Sequence, residues 1–356
     1  MSFIRNVVIE NAPYYVDQKE AVRVVRNLFG GHYEDIERLL RVFGNGQIEG
    51  RYFAAPPEWF EKEHGLEEKN QRYVEEAVRM GSRAVSRCLE ESGVQKDEID
   101  AFIFVSSSGM STPTIDARIM NELRLPPHIK RIPLWGLGCA GGASGISRAH
   151  DYCRAYPDAK VLVLCIELCS LTFQRSDTSK SNLIGTSLFA DGAACALVTG
   201  ERAQISGAGF FIKETQSTLM QDSEDVMGWD VKDQGLHVVF SRDIPKIIEK
   251  WLKPNVDLFL EKIGKTSSDI IHFVAHPGGK KVLAAYEKSL GISNEKTDIS
   301  RNVLANYGNM SSPTVLYVLK EFIEQQPNRG EEGLLTALGP GFSSEMLWLE
   351  WGEVGQ

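Results

Sequence analysis

Residues 135–146, WGLGCAGGASGI, constrain the fold more than any other stretch of the chain. An apolar run from Ile132 leads into Gly136-Leu137-Gly138. A single cysteine, Cys139, comes next, and then a small-residue segment that keeps helical spacing through His150 and Tyr152. The pattern predicts strand, tight turn, cysteine, helix. Gly136 and Gly138 permit positive φ or close backbone approach at the turn. Inside the helix, Gly141, Gly142 and Gly145 each cost about 1 kcal/mol relative to alanine. That choice makes sense if the helix is buried and packed tightly on all sides. A thiol at the start of such a helix meets free N–H groups and the positive end of the macrodipole, both of which favour an anion. The expectation is a nucleophilic cysteine whose pKa is lowered into the range of about 3.5–7.5. The competing reading is a small apolar cysteine packed at a turn, since buried cysteine is common.

The rest of the chain supplies a setting for this unit. Residues 4–9 read as a strand, 18–42 as helix in two pieces broken at Gly30-Gly31, and 67–91 as a long amphipathic helix. Residues 101–105 and 161–166 are wholly apolar strands, as in a sheet covered on both faces. Residues 188–198 read as an Asp-Gly turn followed by a strand. From about Gly200 the order begins again: strand 205–211, irregular polar 217–235, strand 236–240, helix 243–263 with a break at Pro254, strand 271–275, helix 280–290, a turn at 306–310, helix 312–324, and strands 333–338 and 346–351. This alternation predicts an α/β protein with largely parallel central strands, in two halves, 1–200 and 201–356.

Bulk properties narrow the function classes. A net charge of −9 argues against a nucleic-acid or polybasic membrane role. The six cysteines, Cys88, Cys139, Cys153, Cys165, Cys169 and Cys195, lack the density of a disulfide framework. No apolar run approaches the roughly 18 residues of a membrane-spanning helix. A soluble, cytoplasmic protein is expected.

Two further loops share the logic of the cysteine loop. His276 ends an apolar strand and is followed by Pro277, Gly278 and Gly279, so its ring is held at a sharp turn. Asn309 sits in NYGNMSS, again a turn before a helix. Thiol, imidazole and carboxamide are the parts of a covalent thioester enzyme. The thiolate attacks an acyl donor. The imidazole stabilises the thiolate and donates to an oxyanion, and the amide NH₂ is a second donor for the same charge. Each has a structural reading alone, as a strand-end histidine bonded to backbone or a turn asparagine. Their coincidence with Cys139 favours chemistry.

LGCAGG, VAHPGG, YGNMSS, SLFADGAA and ALGPG, in this order and spacing, resemble the chalcone synthase-like (type III) polyketide synthases over residues 5–350. WGLGCAGGASG and SNLIGTSLF look most like the bacterial branch. The resemblance implies a thiolase fold, two related αβαβα halves forming a five-layered αβαβα homodimer subunit. Its first half carries the nucleophile and its second the histidine and asparagine. It implies that Cys139 carries the acyl group, with His276 and Asn309 as the other catalytic pair. Phe189 matches the phenylalanine between the acyl-CoA tunnel and the cavity, and Thr172 and Ser311 match cavity-shaping positions. Where the family has a second cavity phenylalanine this chain places Val238, which suggests a wider, more apolar pocket. Arg38 and Arg41 match residues that hold the CoA phosphates, Asn45 stands at the next basic position, and Lys281 is assigned to the same tunnel mouth. The implied substrates are a fatty acyl-CoA starter and malonyl-CoA, with no cofactor and no metal. The implied product is an alkylpyrone or alkylresorcinol. Residues 109–116 are assigned to the neighbourhood of the partner subunit.

Other enzyme classes share parts of this logic. A thiolase needs a second, C-terminal cysteine, and no cysteine follows Cys195. A hydroxymethylglutaryl-CoA synthase uses a glutamate base, against which YGNMSS argues. The chain-initiating ketoacyl-acyl carrier protein synthase also uses Cys, His and Asn and is the runner-up; HPGG and the GPG turn favour the polyketide branch. A cysteine hydrolase shares the three residues, but the glycine-rich helix fits an acyl tunnel better. Cys165 and Cys169 lack a second ligand pair and read as core rather than metal ligands.

Overall fold

The computed structural model describes residues 1–31 and 35–355. Residues 32–34, inside the helical stretch expected at 18–42, lie outside the described residues. The chain opens with β1 (Ser2–Asn11), β2 (Tyr14–Asp17), α1 (Gln18–Phe29) and α2 (Ile36–Asn45). Both helices start on an aspartate that caps a free amide: Asp17 accepts from the Glu20 N–H and Asp35 from the Arg38 N–H. Then come β3 (Gly50–Phe53), α3 (Pro57–Phe60), α4 (Leu66–Ser92), β4 (Ala101–Val105), α5 (Ile115–Leu123), β5 (Lys130–Leu134), α6 (Gly141–Ala155), β6 (Lys160–Leu168), α7 (Lys180–Leu188) and β7 (Asp191–Gly200). The remainder holds β8 (Gly207–Leu219), β9 (Met227–Lys232), β10 (Gly235–Phe240), α8 (Ile244–Ile247), α9 (Lys253–Lys262), β11 (His272–Ala275), α10 (Lys280–Leu290), α11 (Asp298–Tyr307), α12 (Thr314–Gln325), β12 (Glu332–Gly339) and β13 (Ser343–Val354).

Nine strands form one sheet in the order β5-β4-β6-β7-β1-β8-β13-β12-β11. The order contains a repeat. β4 runs parallel to β6, and β6–β7 and β7–β1 are antiparallel. On the other side β11 runs parallel to β12, and β12–β13 and β13–β8 are antiparallel. The two sets join only where Ser2, Phe3 and Ile4 of β1 meet Ile212, Phe211 and Phe210 of β8. The expectation of largely parallel central strands is thus corrected: among the strands of the described sheet, parallel pairing is confined to β4–β5, β4–β6 and β11–β12. One cause is plain at β12–β13, which are joined by residues 340–342 alone. A parallel pair needs a crossover of about a dozen residues or more.

Strand alternation builds the layers. On β4, Phe102 and Phe104 point one way and Ile103 and Val105 the other; on β6, Leu162 and Leu164 oppose Val161 and Val163. The first set packs on α4 and α5, and the second on α6. From the other half, Val274, Leu335 and Leu347 enter the same central core as α6 and α12, while Phe273, Leu334 and Trp348 pack on α9 and α10. The result is helix, sheet, helix, sheet, helix, the layer order of the thiolase fold.

Three local readings change. Asp191-Gly192 is the start of β7, not a turn. The buried Asp191 carboxylate accepts from the Ala54 N–H at 2.6 Å, the Ser170 N–H at 2.7 Å and the Ser170 hydroxyl. Residues 217–235 are irregular only in part: β8 runs to Leu219, 220–226 are turn and coil, and β9 then pairs with β10 as a hairpin. The helix expected at 243–263 passes through a π-helical stretch at Ile248–Leu252, just before Pro254. Proline lacks the N–H for the normal ladder, and the widened turn accommodates that loss.

Candidate active site

Cys139 lies in a short 3₁₀ turn at the start of α6, after Gly136 at φ +88° and Gly138 at φ +47°. His276 follows β11, its amide donating to the Thr336 carbonyl at 2.9 Å. Asn309 follows α11 and is bound to the end of α7 in both directions. Its N–H donates to the Leu188 carbonyl and its carbonyl accepts from the Ala190 N–H, each at 2.9 Å. This bridge sets Asn309 beside Phe189.

The three side chains converge. The Asn309 carboxamide is 4.0 Å from Cys139 Sγ through both Oδ1 and Nδ2. Its Nδ2 also donates to the Gly278 carbonyl at 3.3 Å, and its Oδ1 accepts from the Ser311 N–H at 2.8 Å. The second bond fixes which end of the amide is the donor. Cys139, His276 and Asn309 line one cavity of about 380 Å³. Neither ring nitrogen of His276 has a hydrogen-bond partner, so the imidazole shares the chamber with the sulfur without bonding to it.

The resting electrostatics differ from the expectation. Burial pushes the Cys139 thiol up to about 11, with hydrogen bonds from Ser311 and Asn309 only partly offsetting it. Burial also holds His276 down to about 3. The pair therefore rests as neutral thiol and neutral imidazole. In so dry a chamber desolvation outweighs the stabilisation offered by the helix start. Below its pKa a thiol gains thiolate with rising pH, and only the thiolate is alkylated. The rate of Cys139 modification by iodoacetamide is thus expected to climb by about tenfold per unit across the neutral range. A rate already level from about pH 6 would mean a preformed thiolate instead.

Two buried charges at the site escaped the sequence reading. Glu167 Oε2 accepts from the Ser107 and Ser108 N–H groups at 2.9 Å, and its Oε1 from the Ser312 hydroxyl at 2.9 Å. It ties the end of β4 to the Asn309 loop, and burial raises its carboxyl to about 7. A lone carboxylate in the otherwise apolar VLVLCIEL was the available signal. Arg51 is wholly buried and donates to the carbonyls of both Thr186 and Phe189 at 2.7 Å, which fixes the end of α7. Nothing in GRYF announces it.

Phe189 is 8% exposed and stacks on Phe240 with ring centroids 5.5 Å apart. Phe240 lines the Cys139 chamber; Phe189 lines a second cavity of about 670 Å³. The two rings stand between these spaces. The second cavity is walled mainly by apolar groups, among them Val25, Leu28, Phe53, Phe60 and Phe173, and it includes Thr172 and Val238. Thr172 turns its hydroxyl to the Cys169 carbonyl at 2.8 Å. Ser311, at φ +58°, sits against Cys139 and not in that cavity. Arg38 and Arg41 are exposed on α2, which packs on α7, and Lys281 is exposed at the start of α10. None of the three lines either cavity or has a carboxylate partner among the described residues. Asn45 is exposed at the end of α2.

Among the described residues no group of three or more His, Cys, Asp or Glu side chains is placed to hold a metal ion. No helix among them is long and apolar enough to cross a membrane.

This geometry has close counterparts. The family model for the N-terminal domain of chalcone and stilbene synthases matches residues 53–202, and that for their C-terminal domain matches residues 212–351. A Bacillus subtilis (strain 168) protein carrying the name chalcone synthase is 52% identical, over 99% of both chains. The 1,3,6,8-tetrahydroxynaphthalene synthase of Streptomyces peucetius subsp. caesius is 34% identical over 95% of this chain and 90% of its own. The crystal structure of the Streptomyces coelicolor A3(2) tetrahydroxynaphthalene synthase, a bacterial type III polyketide synthase, superimposes with a TM-score of 0.93 at 29% identity, covering 98% and 99% of the two chains. The chain belongs to the chalcone and stilbene synthase family and is a type III polyketide synthase, an acyltransferase that works by decarboxylating condensation.

Proposed function

We propose that this synthase loads a fatty acyl group from its CoA thioester onto Cys139, extends it with malonyl-CoA and cyclises it to an alkylpyrone or alkylresorcinol. Cys139 attacks the starter thioester, its proton passing to the His276 imidazole as CoA leaves. Malonyl-CoA then loses CO₂, and His276 and Asn309 donate to the enolate oxygen. The enolate carbon attacks the Cys139 thioester, and the cycle repeats until ring closure. Carbonyl polarisation in this scheme comes from hydrogen bonds, so no metal or further cofactor is invoked. Arg38, Arg41 and Lys281, exposed and without carboxylate partners among the described residues, receive the CoA phosphates outside the chamber. The division of labour follows the two halves, 1–200 supplying Cys139 and 201–356 supplying His276 and Asn309. The enzyme works as a cytoplasmic homodimer. An exposed Trp135, bonded through its indole N–H to the Gly109 carbonyl, supports assigning the loop at 109–116 to the partner-facing side.

The single observation that supports a fatty starter is the apolar lining of the cavity beyond the Phe189–Phe240 pair. An alkyl chain gains from burial there, by about 0.8 kcal/mol per methylene. An oxygen-rich chain with no alkyl tail would find few partners in it. The test is mass spectrometry of products from a panel of acyl-CoA starters with labelled malonyl-CoA. Long-chain starters are expected to be extended, and Phe189→Ala is expected to shift the preferred starter length while total turnover falls by less than about tenfold. Extension of malonyl or short starters only, or an unchanged profile in Phe189→Ala, would count against this assignment. Strong preference for malonyl-carrier protein over malonyl-CoA would favour the ketoacyl-acyl carrier protein synthase reading.

A further inference from the structure

The Cys139 chamber contains a polar group that the mechanism above does not use. Tyr286 is wholly buried, lines the chamber, and its hydroxyl has no hydrogen-bond partner. It sits on α10 one turn after Val282, another lining residue, with its ring edge-on to Phe273 at 5.7 Å. The wall around it is apolar: Met227, Phe240, Ile244, Ile248, Leu338 and Phe342. A phenylalanine would satisfy that packing as well. A buried hydroxyl left unpaired is costly, so its presence points to a partner that arrives with substrate. Burial pushes the hydroxyl well above its ordinary pKa, so it remains a neutral donor throughout the working pH range.

We propose that the Tyr286 hydroxyl donates a hydrogen bond to the β-keto oxygen of the extended acyl chain, and thereby influences how many times the chain is extended. The inference rests on the polyketide-forming reading of this chamber. The chemistry favours that oxygen. A saturated tail offers no acceptor, and the thioester and enolate oxygens are already served by His276 and Asn309. The first oxygen without a donor is the ketone created by each condensation. Held by Tyr286, the β-ketoacyl group keeps a defined pose while it is returned to Cys139 for the next round. Without it, release competes.

The experiment is Tyr286→Phe, which retains the ring against Phe273. The variant is expected to keep the native melting temperature or exceed it, and to acylate Cys139 from a fatty acyl-CoA at the native rate, read by intact-protein mass. The ratio of once-extended to further-extended products is expected to rise by about tenfold, the effect of losing one good hydrogen bond. An unchanged ratio, or an equal fall in every product, overturns the assignment of Tyr286 alone. Failure of the native enzyme to acylate Cys139 from any acyl-CoA overturns the polyketide reading and this inference together.

Discussion

Cys139→Ala is expected to abolish both starter loading and chain extension, with no covalent acyl-enzyme by intact mass and no product. Cys169 cannot replace it, because it lines the other cavity and not the chamber that holds His276 and Asn309. Cys139→Gln separates the two halves of the chemistry: extension stops, but release of labelled CO₂ from malonyl-CoA persists, since both enolate donors remain. Against that background the donors are expected to contribute about 10²–10³ each to decarboxylation. His276→Ala removes one cleanly, because its ring makes no other hydrogen bond. Asn309→Ala does more, since the same amide accepts from the Ser311 N–H and donates to the Gly278 carbonyl. Asn309→Asp is the sharper variant: it keeps the acceptor for Ser311 and loses only the donor, at the cost of a charge beside the sulfur. Full decarboxylation in Asn309→Asp would show that the amide is a scaffold and nothing more.

The constellation was legible because each member sits where an apolar strand or small-residue helix is interrupted. The glycines around Cys139, the HPGG turn after His276 and the YGN turn before Ser311 are local signals of fixed backbone. The helices with strong periodicity were read to within one or two residues, as at Leu66–Ser92 and Lys280–Leu290. Strand direction was not legible. An apolar strand buried on both faces looks the same whichever way its neighbour runs, so β7 gave no sign of its antiparallel pairing; only the short Gly339-Pro340-Gly341 link before β13 carried that information. The β9–β10 hairpin was obscured because Gly228, Asp230 and Lys232, residue types depleted in strands, stand between Met227, Trp229 and Val231. The ionisation of Cys139 was misjudged for a different reason. Position at a helix start can be read from sequence, but the depth of burial that opposes it belongs to the assembled chamber. Arg51 and Tyr286 were missed on the same ground: each sits in an ordinary element, and only packing shows that one grips the carbonyl of Phe189 and the other faces Cys139.

Gly142→Ala is expected to damage stability and catalysis together, by more than a surface substitution of any size. A Cβ at position 142 would lie 2.2 Å from the Ser312 carbonyl oxygen and 2.8 Å from Val315 Cγ1. A side-chain methyl could rotate away, but a backbone carbonyl moves only if its loop moves. Overpacking of this kind costs about 1–3 kcal/mol and occasionally more. The displacement has a chemical consequence because of what the loop carries. Ser312 bonds to Glu167, and its neighbour Ser311 holds the Asn309 carboxamide. Shifting that segment draws the amide off the sulfur, so acylation and decarboxylation should fall further than the loss of folded protein explains. Gly228→Ala serves as the comparison, since nothing lies within 4 Å of a Cβ built there. Urea denaturation followed by single-turnover acylation of the folded fraction separates the two effects. Native stability with native acylation in Gly142→Ala would mean that the middle helix layer is looser than its contacts imply. The glycines of WGLGCAGGASG would then owe their presence to something other than the approach of the two halves at the reacting sulfur.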